Sequence, residues 1–199
     1  MSLDPAPVVL TAANLEQVLH FEQQVFPKAD QWSRASWIAE LSSPDRIHFG
    51  MFDRDVLIAA AGASINEVAD VLTIGVLAEY RGRGIAGALL DHLLQVLRSA
   101  RFFTPSQVRY LMPLEGDRAM ADPASASDTS SEVVSESVAG IERSQRRVSR
   151  VMLEVRASNA SAIGLYGSRG FKQIARIPRY YRAPSEEAVV MELGLWVGR

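Results

Sequence analysis

The sequence predicts one domain of the mixed α/β class, and three observations lead there. Three strand-like runs follow one another between His48 and Val76. A long amphipathic helix starts directly after a turn containing Gly82 and Gly84. A strand, a short helix and two further strands account for residues 150–193. At 199 residues the chain is about 1.3 times a nominal 150-residue domain, which favours one domain with an appendage over two. An apolar content of 48% excludes collagen-like and wholly disordered classes. With no cysteine, a disulfide scaffold, an acyl-cysteine intermediate and a thiolate-bound metal are all closed.

Residues 8–26 read as a short strand and then a helix, with Leu15, Val18, Leu19, Glu22 and Phe26 at helical spacing until Pro27 ends it. A second helix starts at about Ser33, a natural N-cap, buries Trp37, Ile38 and Leu41, and stops at Ser43-Pro44. The strands are His48 to Phe52, Val56 to Ile65 and Glu67 to Val76, with Asp53-Arg54-Asp55 turning the chain between the first two. From Gly84 to Arg101, Ile85, Leu89, Leu90, Leu93, Leu94 and Leu97 recur at three and four, which marks the strongest helix.

Between about Thr104 and Ser149 the texture changes to Ser, Ala, Asp and Glu without periodicity. Such composition cannot offset ordering entropy, so most of this stretch is expected to be a disordered insertion. Structure is expected to resume with a strand from Arg150 to Arg156, a short helix from Ala160 to Ser168, and strands Phe171 to Ile177 and Ala188 to Leu193. A polar loop at Pro184 to Glu187 separates the last two.

Met1-Ser2-Leu3-Asp4-Pro5 has no signal-peptide features and no apolar run reaches 18 residues, so a soluble protein of a reducing cytoplasm, without a membrane partner, is expected. Charge is unevenly spread. Residues 141–182 carry ten basic and two acidic side chains, net +8, against net −10 for the rest. Such a stretch suits nucleic acid, cofactor phosphates or an acidic protein, and composition does not choose among them. His20, His48 and His92 lack metal-ligand spacing and are expected to be structural or surface groups, with no metal site.

Two segments carry chemistry. In Ile74-Gly75-Val76-Leu77-Ala78-Glu79-Tyr80-Arg81-Gly82-Arg83-Gly84-Ile85-Ala86, a strand runs through a glycine turn into the long helix. The helix's first amides are unpaired donors for phosphate oxygens, and Arg81 and Arg83 add positive charge. A turn that merely joins strand to helix has the same local signature. The lysine and Ser/Thr of a P-loop and the third glycine of a dinucleotide fold are missing. In the second segment, Leu153 to Phe171, strand alternation puts Glu154 opposite Leu153 and Val155, and Tyr166 lies on the helix that follows. Taken singly, a solvated glutamate and a core tyrosine account for both.

Together the segments resemble the GNAT superfamily of acyl-CoA-dependent N-acyltransferases. Arg81-Gly82-Arg83-Gly84-Ile85-Ala86 is similar to its Q/R-x-x-G-x-G/A pyrophosphate loop. The run Leu153-Glu154-Val155-Arg156-Ala157-Ser158-Asn159-Ala160, with Leu165-Tyr166 and Gly170-Phe171, resembles more narrowly the RimI-like branch, which acetylates the N-terminal alanine of a small-subunit ribosomal protein. Tyr180-Tyr181 falls where that branch has a tyrosine pair. The resemblance covers about residues 8–101 and 150–194 and leaves the insertion unaccounted for.

It implies a central, mostly antiparallel sheet splayed to admit acetyl-CoA and flanked by helices. Acetyl-CoA is then the co-substrate and a protein N-terminus, from a ribosomal protein, the acceptor partner, without direct nucleic-acid binding. Glu154 is implied as general base and Tyr166 as general acid. The backbone of Ile74, Gly75 and Val76, together with Asn159, would hold the pantetheine and thioester, and Arg81, Gly82, Arg83, Gly84, Ile85 and Ala86 the pyrophosphate. Trp32, Tyr180 and Tyr181 are implied at the peptide groove, although a helix start and a sheet edge place them equally well. Competing readings are a GNAT enzyme acting on internal lysines or a small amine, and a non-catalytic acyl-CoA sensor. Having both Glu154 and Tyr166 argues against the sensor.

Overall fold

The computed structural model describes residues 6–102 and 146–196. Seven strands form one sheet in the order β1-β2-β3-β4-β7-β9-β8, with β1 Val8–Val9, β2 Arg46–Asp53, β3 Val56–Ser64, β4 Val68–Val76, β7 Arg150–Arg156, β8 Lys172–Arg182 and β9 Ser185–Gly194. Two residues each of β5, Arg101–Phe102, and β6, Arg146–Arg147, make a separate antiparallel ladder. Among the described residues four α-helices flank the sheet: α1 Leu15–Val25, α2 Arg34–Ser42, α3 Ile85–Ser99 and α4 Ala160–Ser168.

Strand β3 is buried along nearly its whole length, and its Ala59, Ala60, Ala61 and Ala63 are small enough for α1 and α3 both to pack against it. Helix α3 delivers Leu89, Leu90, Leu93, Leu94 and Leu97 to that core, each worth about 1.5–3 kcal/mol when fully buried. Ser33 caps α2 as expected, its hydroxyl accepting from the Ser36 amide at 3.0 Å. Ile38 does not join the buried face: it is 47% exposed, while Trp37 is buried and Leu41 packs half-buried against the core.

Every pairing in the large sheet is antiparallel except β4 with β7, and that parallel contact lasts only from Val68 opposite Arg150 to Asp70 opposite Met152. Beyond Asp70, β4 keeps β3 and loses β7. A bulge explains the parting: Gly62 faces Thr73 while Ala63 faces Val71, so Leu72 is the extra residue and β4 bends there. The expected splay is therefore present, with Val71 to Val76 paired on one side only.

Several boundaries differ from expectation, β2 starting at Arg46 and β9 at Ser185 among them. Arg101 leaves the helix for β5. The fold resumes at Arg146, ahead of Arg150: Val148 is fully buried and the Ser149 amide donates to the Glu67 carbonyl at 2.8 Å. Strand β8 runs to Arg182, so the polar connection is a tight hairpin with Arg182 opposite Ser185. The rest of the expected insertion, positions 103–145, lies outside the described residues. No helix among the described residues is long and apolar enough to cross a membrane.

Candidate active site

The connection from β4 to α3 is a cradle of backbone donors. Gly82 and Gly84 adopt φ of 73° and 79°, and a Cβ at either would meet nothing within 4 Å, so dihedral angle and not lack of space selects glycine. The first α3 amide to bond back is that of Ala88, to the Gly84 carbonyl at 3.0 Å, which leaves those of Ile85, Ala86 and Gly87 without intrahelical partners. No side chain caps this helix. Arg81 Nε donates to the Val76 carbonyl at 3.0 Å, folding the arginine back along the turn. Arg83 donates to the Glu79 carbonyl at 2.9 Å and lies over the Tyr80 ring, whose hydroxyl donates to Asp53 at 2.8 Å. A diphosphate fits here: three free amides, a helix dipole and two guanidinium groups converge on one exposed turn.

On the far side of the fork, β7 alternates as the sequence implied. Val151, Leu153 and Val155 are buried, and Glu154 points the other way and is exposed. Partial desolvation, then the Asp70 charge, hold the Glu154 carboxyl above its ordinary range. Tyr166 is 5% exposed and packs against Phe171, with 5.7 Å between ring centroids. Its hydroxyl bonds to no described residue, yet it is not sealed away from solvent. Burial, reinforced by the neighbouring Tyr181, raises its phenol well above the usual value. Asn159 caps α4, its Oδ1 accepting from the Ala162 amide at 3.1 Å.

Tyr181 donates to the Glu154 carbonyl at 3.4 Å, and its phenol is pushed up to about 12, chiefly by burial and next by Tyr180. Tyr180 is 47% exposed, edge-on to Tyr181. Both tyrosines thus stand on the edge strand and beside Glu154 at once. Trp32 sits elsewhere in character: its amide donates to buried Glu22 at 2.8 Å and its ring joins Trp37 and His48 in an aromatic cluster. His48 is buried, bonded to Glu40 at 3.1 Å, and burial lowers its pKa. His92 packs edge-on to Phe49, and His20 is exposed.

Two features of this region are absent from the sequence reading. Arg156, on the same face as Glu154, pairs with Asp30 at 2.8 Å and Glu186 at 3.2 Å and lies 4.1 Å from the Tyr181 ring centroid. It thereby ties the segment before α2 and the β8–β9 hairpin to β7. Asp70 is the second, a lone carboxylate in an apolar strand, and its placement opposite Met152 depends on a pairing between distant segments. The only local signal for it was the charge itself.

A family model described as the acetyltransferase (GNAT) family matches residues 13–107. The chain carries a GNAT acetyltransferase domain. Across 96% of its length it is 28% identical to the N-alpha-acetyltransferase RimI of Mycobacterium tuberculosis, of which it covers 95%. Among solved structures, the domain superposes on the ribosomal-protein-S18-alanine N-acetyltransferase from Escherichia coli with a TM-score of 0.66 and 22% identity, covering 98% of this chain and 96% of that one. Arabidopsis thaliana NAA60 in complex with acetyl-CoA gives a TM-score of 0.64 and 17% identity, covering 95% and 97%. These likenesses show that the acetyltransferase domain has the GNAT fold.

Proposed function

We propose that the protein transfers the acetyl group of acetyl-CoA to the free N-terminus of a protein in the cytoplasm, with the N-terminal alanine of a small-subunit ribosomal protein as the acceptor. The observation that carries this reading is the placement of Glu154, a partly desolvated carboxylate on β7, where β7 parts from β4. The relative named N-alpha-acetyltransferase, aligned over nearly the whole chain, supports the acceptor class.

An N-terminal amine has a pKa of about 8 and arrives largely protonated, so a base must remove a proton before attack. Glu154 takes it, directly or through a water. The β4 backbone from Ile74 to Val76 lies along the parted edge and holds the pantetheine and thioester, with the Val76 amide donating to the developing oxyanion and the Asn159 Nδ2 group adding a donor. The cradle from Arg81 to Ala86 binds the pyrophosphate. Tyr166 supports the leaving thiolate with a hydrogen bond. Its raised pKa exceeds that of a thiol, about 8.5, so complete proton transfer would be uphill. With no cysteine, attack is direct, within a complex of both substrates.

The test is acetyl transfer to short peptides that differ only at the N-terminal residue, alongside an N-blocked peptide with an internal lysine. Transfer confined to free N-termini and strongest for alanine is expected. Transfer to the blocked lysine peptide would replace the acceptor class, and no transfer at all would leave a small-amine enzyme or a CoA sensor.

A further inference from the structure

Asp70 is the last residue of β4 that pairs with β7, opposite Met152 in a parallel register. Paired residues share a face of the sheet, and Glu154 stands two places beyond Met152, so Asp70 and Glu154 present carboxylates to one face from diagonal backbone positions, a spacing of roughly 7–8 Å along the sheet. That position is the fork of the sheet. The Ser64 hydroxyl fixes Asp70, accepting from its amide at 2.8 Å and donating to its Oδ2 at 3.4 Å.

Carboxylates nearby find arginines: Asp30 and Glu186 share Arg156, Glu187 has Arg176, and Glu192 has Arg150. Among the described residues, neither Asp70 nor Glu154 forms an ion pair. The other groups facing Glu154 are Tyr180 and Tyr181 on β8, with Tyr166 behind them. Arg156, on Glu154's own strand, is engaged by Asp30 and Glu186, and β9 offers uncharged Val190 opposite. The fork therefore holds two anions awaiting a cation, walled by two phenols.

We propose that Asp70 is a second acceptor-binding carboxylate, which receives the protonated amine together with Glu154 and makes the site selective for a cationic acceptor. This rests on the amine-acetylation reading above. One ammonium proton passes to Glu154 while the Asp70 carboxylate holds the amine. The neutral nitrogen then forms its bond to the thioester carbonyl carbon, the carbon–sulfur bond breaks, and the second nitrogen proton goes to the departing sulfur.

The experiment compares wild type, Asp70→Asn and Asp70→Glu. Expected for Asp70→Asn are a peptide KM raised at least about tenfold, unchanged CoA affinity, and an acidic limb of kcat/KM moved to lower pH, because no neighbouring charge then holds the Glu154 carboxyl up. Asp70→Glu should recover part of the KM. An unmoved limb with unchanged KM overturns the proposal, as does an Asp70→Asn protein that loses CoA binding along with activity, which marks a structural role. Carboxyl NMR titration of Glu154 in wild type and Asp70→Asn needs no turnover. If wild type is inert toward every peptide, the acceptor reading falls, and a Glu154 titration identical in the two proteins then overturns the carboxylate pair as well.

Discussion

Exchanging Glu154 for glutamine keeps the shape of the side chain and removes its capacity to accept a proton. Glu154→Gln should lower kcat about 10²–10⁴-fold with CoA affinity nearly unchanged, and unaltered turnover in the folded variant would reject the base assignment. The sign of the pH dependence follows from the same chemistry. A base must be ionised to act, and this carboxyl titrates above its ordinary range, so kcat/KM should fall as pH drops through that raised value, at a higher pH than an ordinary glutamate would require. Tyr166→Phe is a different kind of loss. The ring remains packed on Phe171 and no described residue loses a hydrogen bond, so stability should hold while turnover falls about tenfold to a hundredfold, the scale of one hydrogen bond to a charged group. Unfolding without a chemical defect would return this tyrosine to the core.

Among the elements, two glycines separate space from conformation. Gly164 lies inside α4 with nothing within 4 Å of where a methyl group would stand, whereas a methyl at Gly62 in β3 would run into Nδ1 of buried His48. Gly164→Ala should therefore stabilise by about 0.5–1 kcal/mol, and Gly62→Ala should destabilise by about 1–3 kcal/mol, because the His48 ring sits against Trp37 and Glu40 and cannot swing away freely. Urea denaturation of both variants checks the opposite signs. The same contrast explains what could be read in advance. Helix α3 and its glycine turn were legible because a recurring apolar face and two αL residues are local properties. Strand β8 was legible only in part: except for half-buried Tyr181 its residues are exposed, so alternation carried no apolar signal and its end at Arg182 was hidden. Ile38 failed because helical spacing says which residues share a face and not how wide the buried stripe is. Glu154 and Tyr166 became candidates through resemblance, whereas Asp70 and the Asp30–Arg156–Glu186 clamp arise from pairings between segments far apart in the chain.

For the molecule as a whole, the uneven charge is partly taken up by internal pairing. Arg156 meets Asp30, Arg169 meets Asp91, and Arg150 and Arg176 meet Glu192 and Glu187, so four of the ten basic side chains of the 141–182 stretch are paired with carboxylates outside it. The pairing also ties the C-terminal half to the N-terminal one on both sides of positions 103–145. The ends of that span are already adjacent, since Phe102 stands opposite Arg146 in the β5–β6 ladder. A hairpin loop of about five residues is enough to join strands so placed. Replacing positions 103–145 by such a loop should preserve the fold and CoA affinity if the chain is one domain interrupted at this point, as proposed. Closure entropy sets the size of the effect: each halving of a closed loop is worth about 0.6 kcal/mol, so the shortened chain should gain at most about 2 kcal/mol in urea unfolding. A shortened protein that fails to fold, or folds and no longer binds CoA, would assign the span to the domain itself and overturn the interrupted-domain reading.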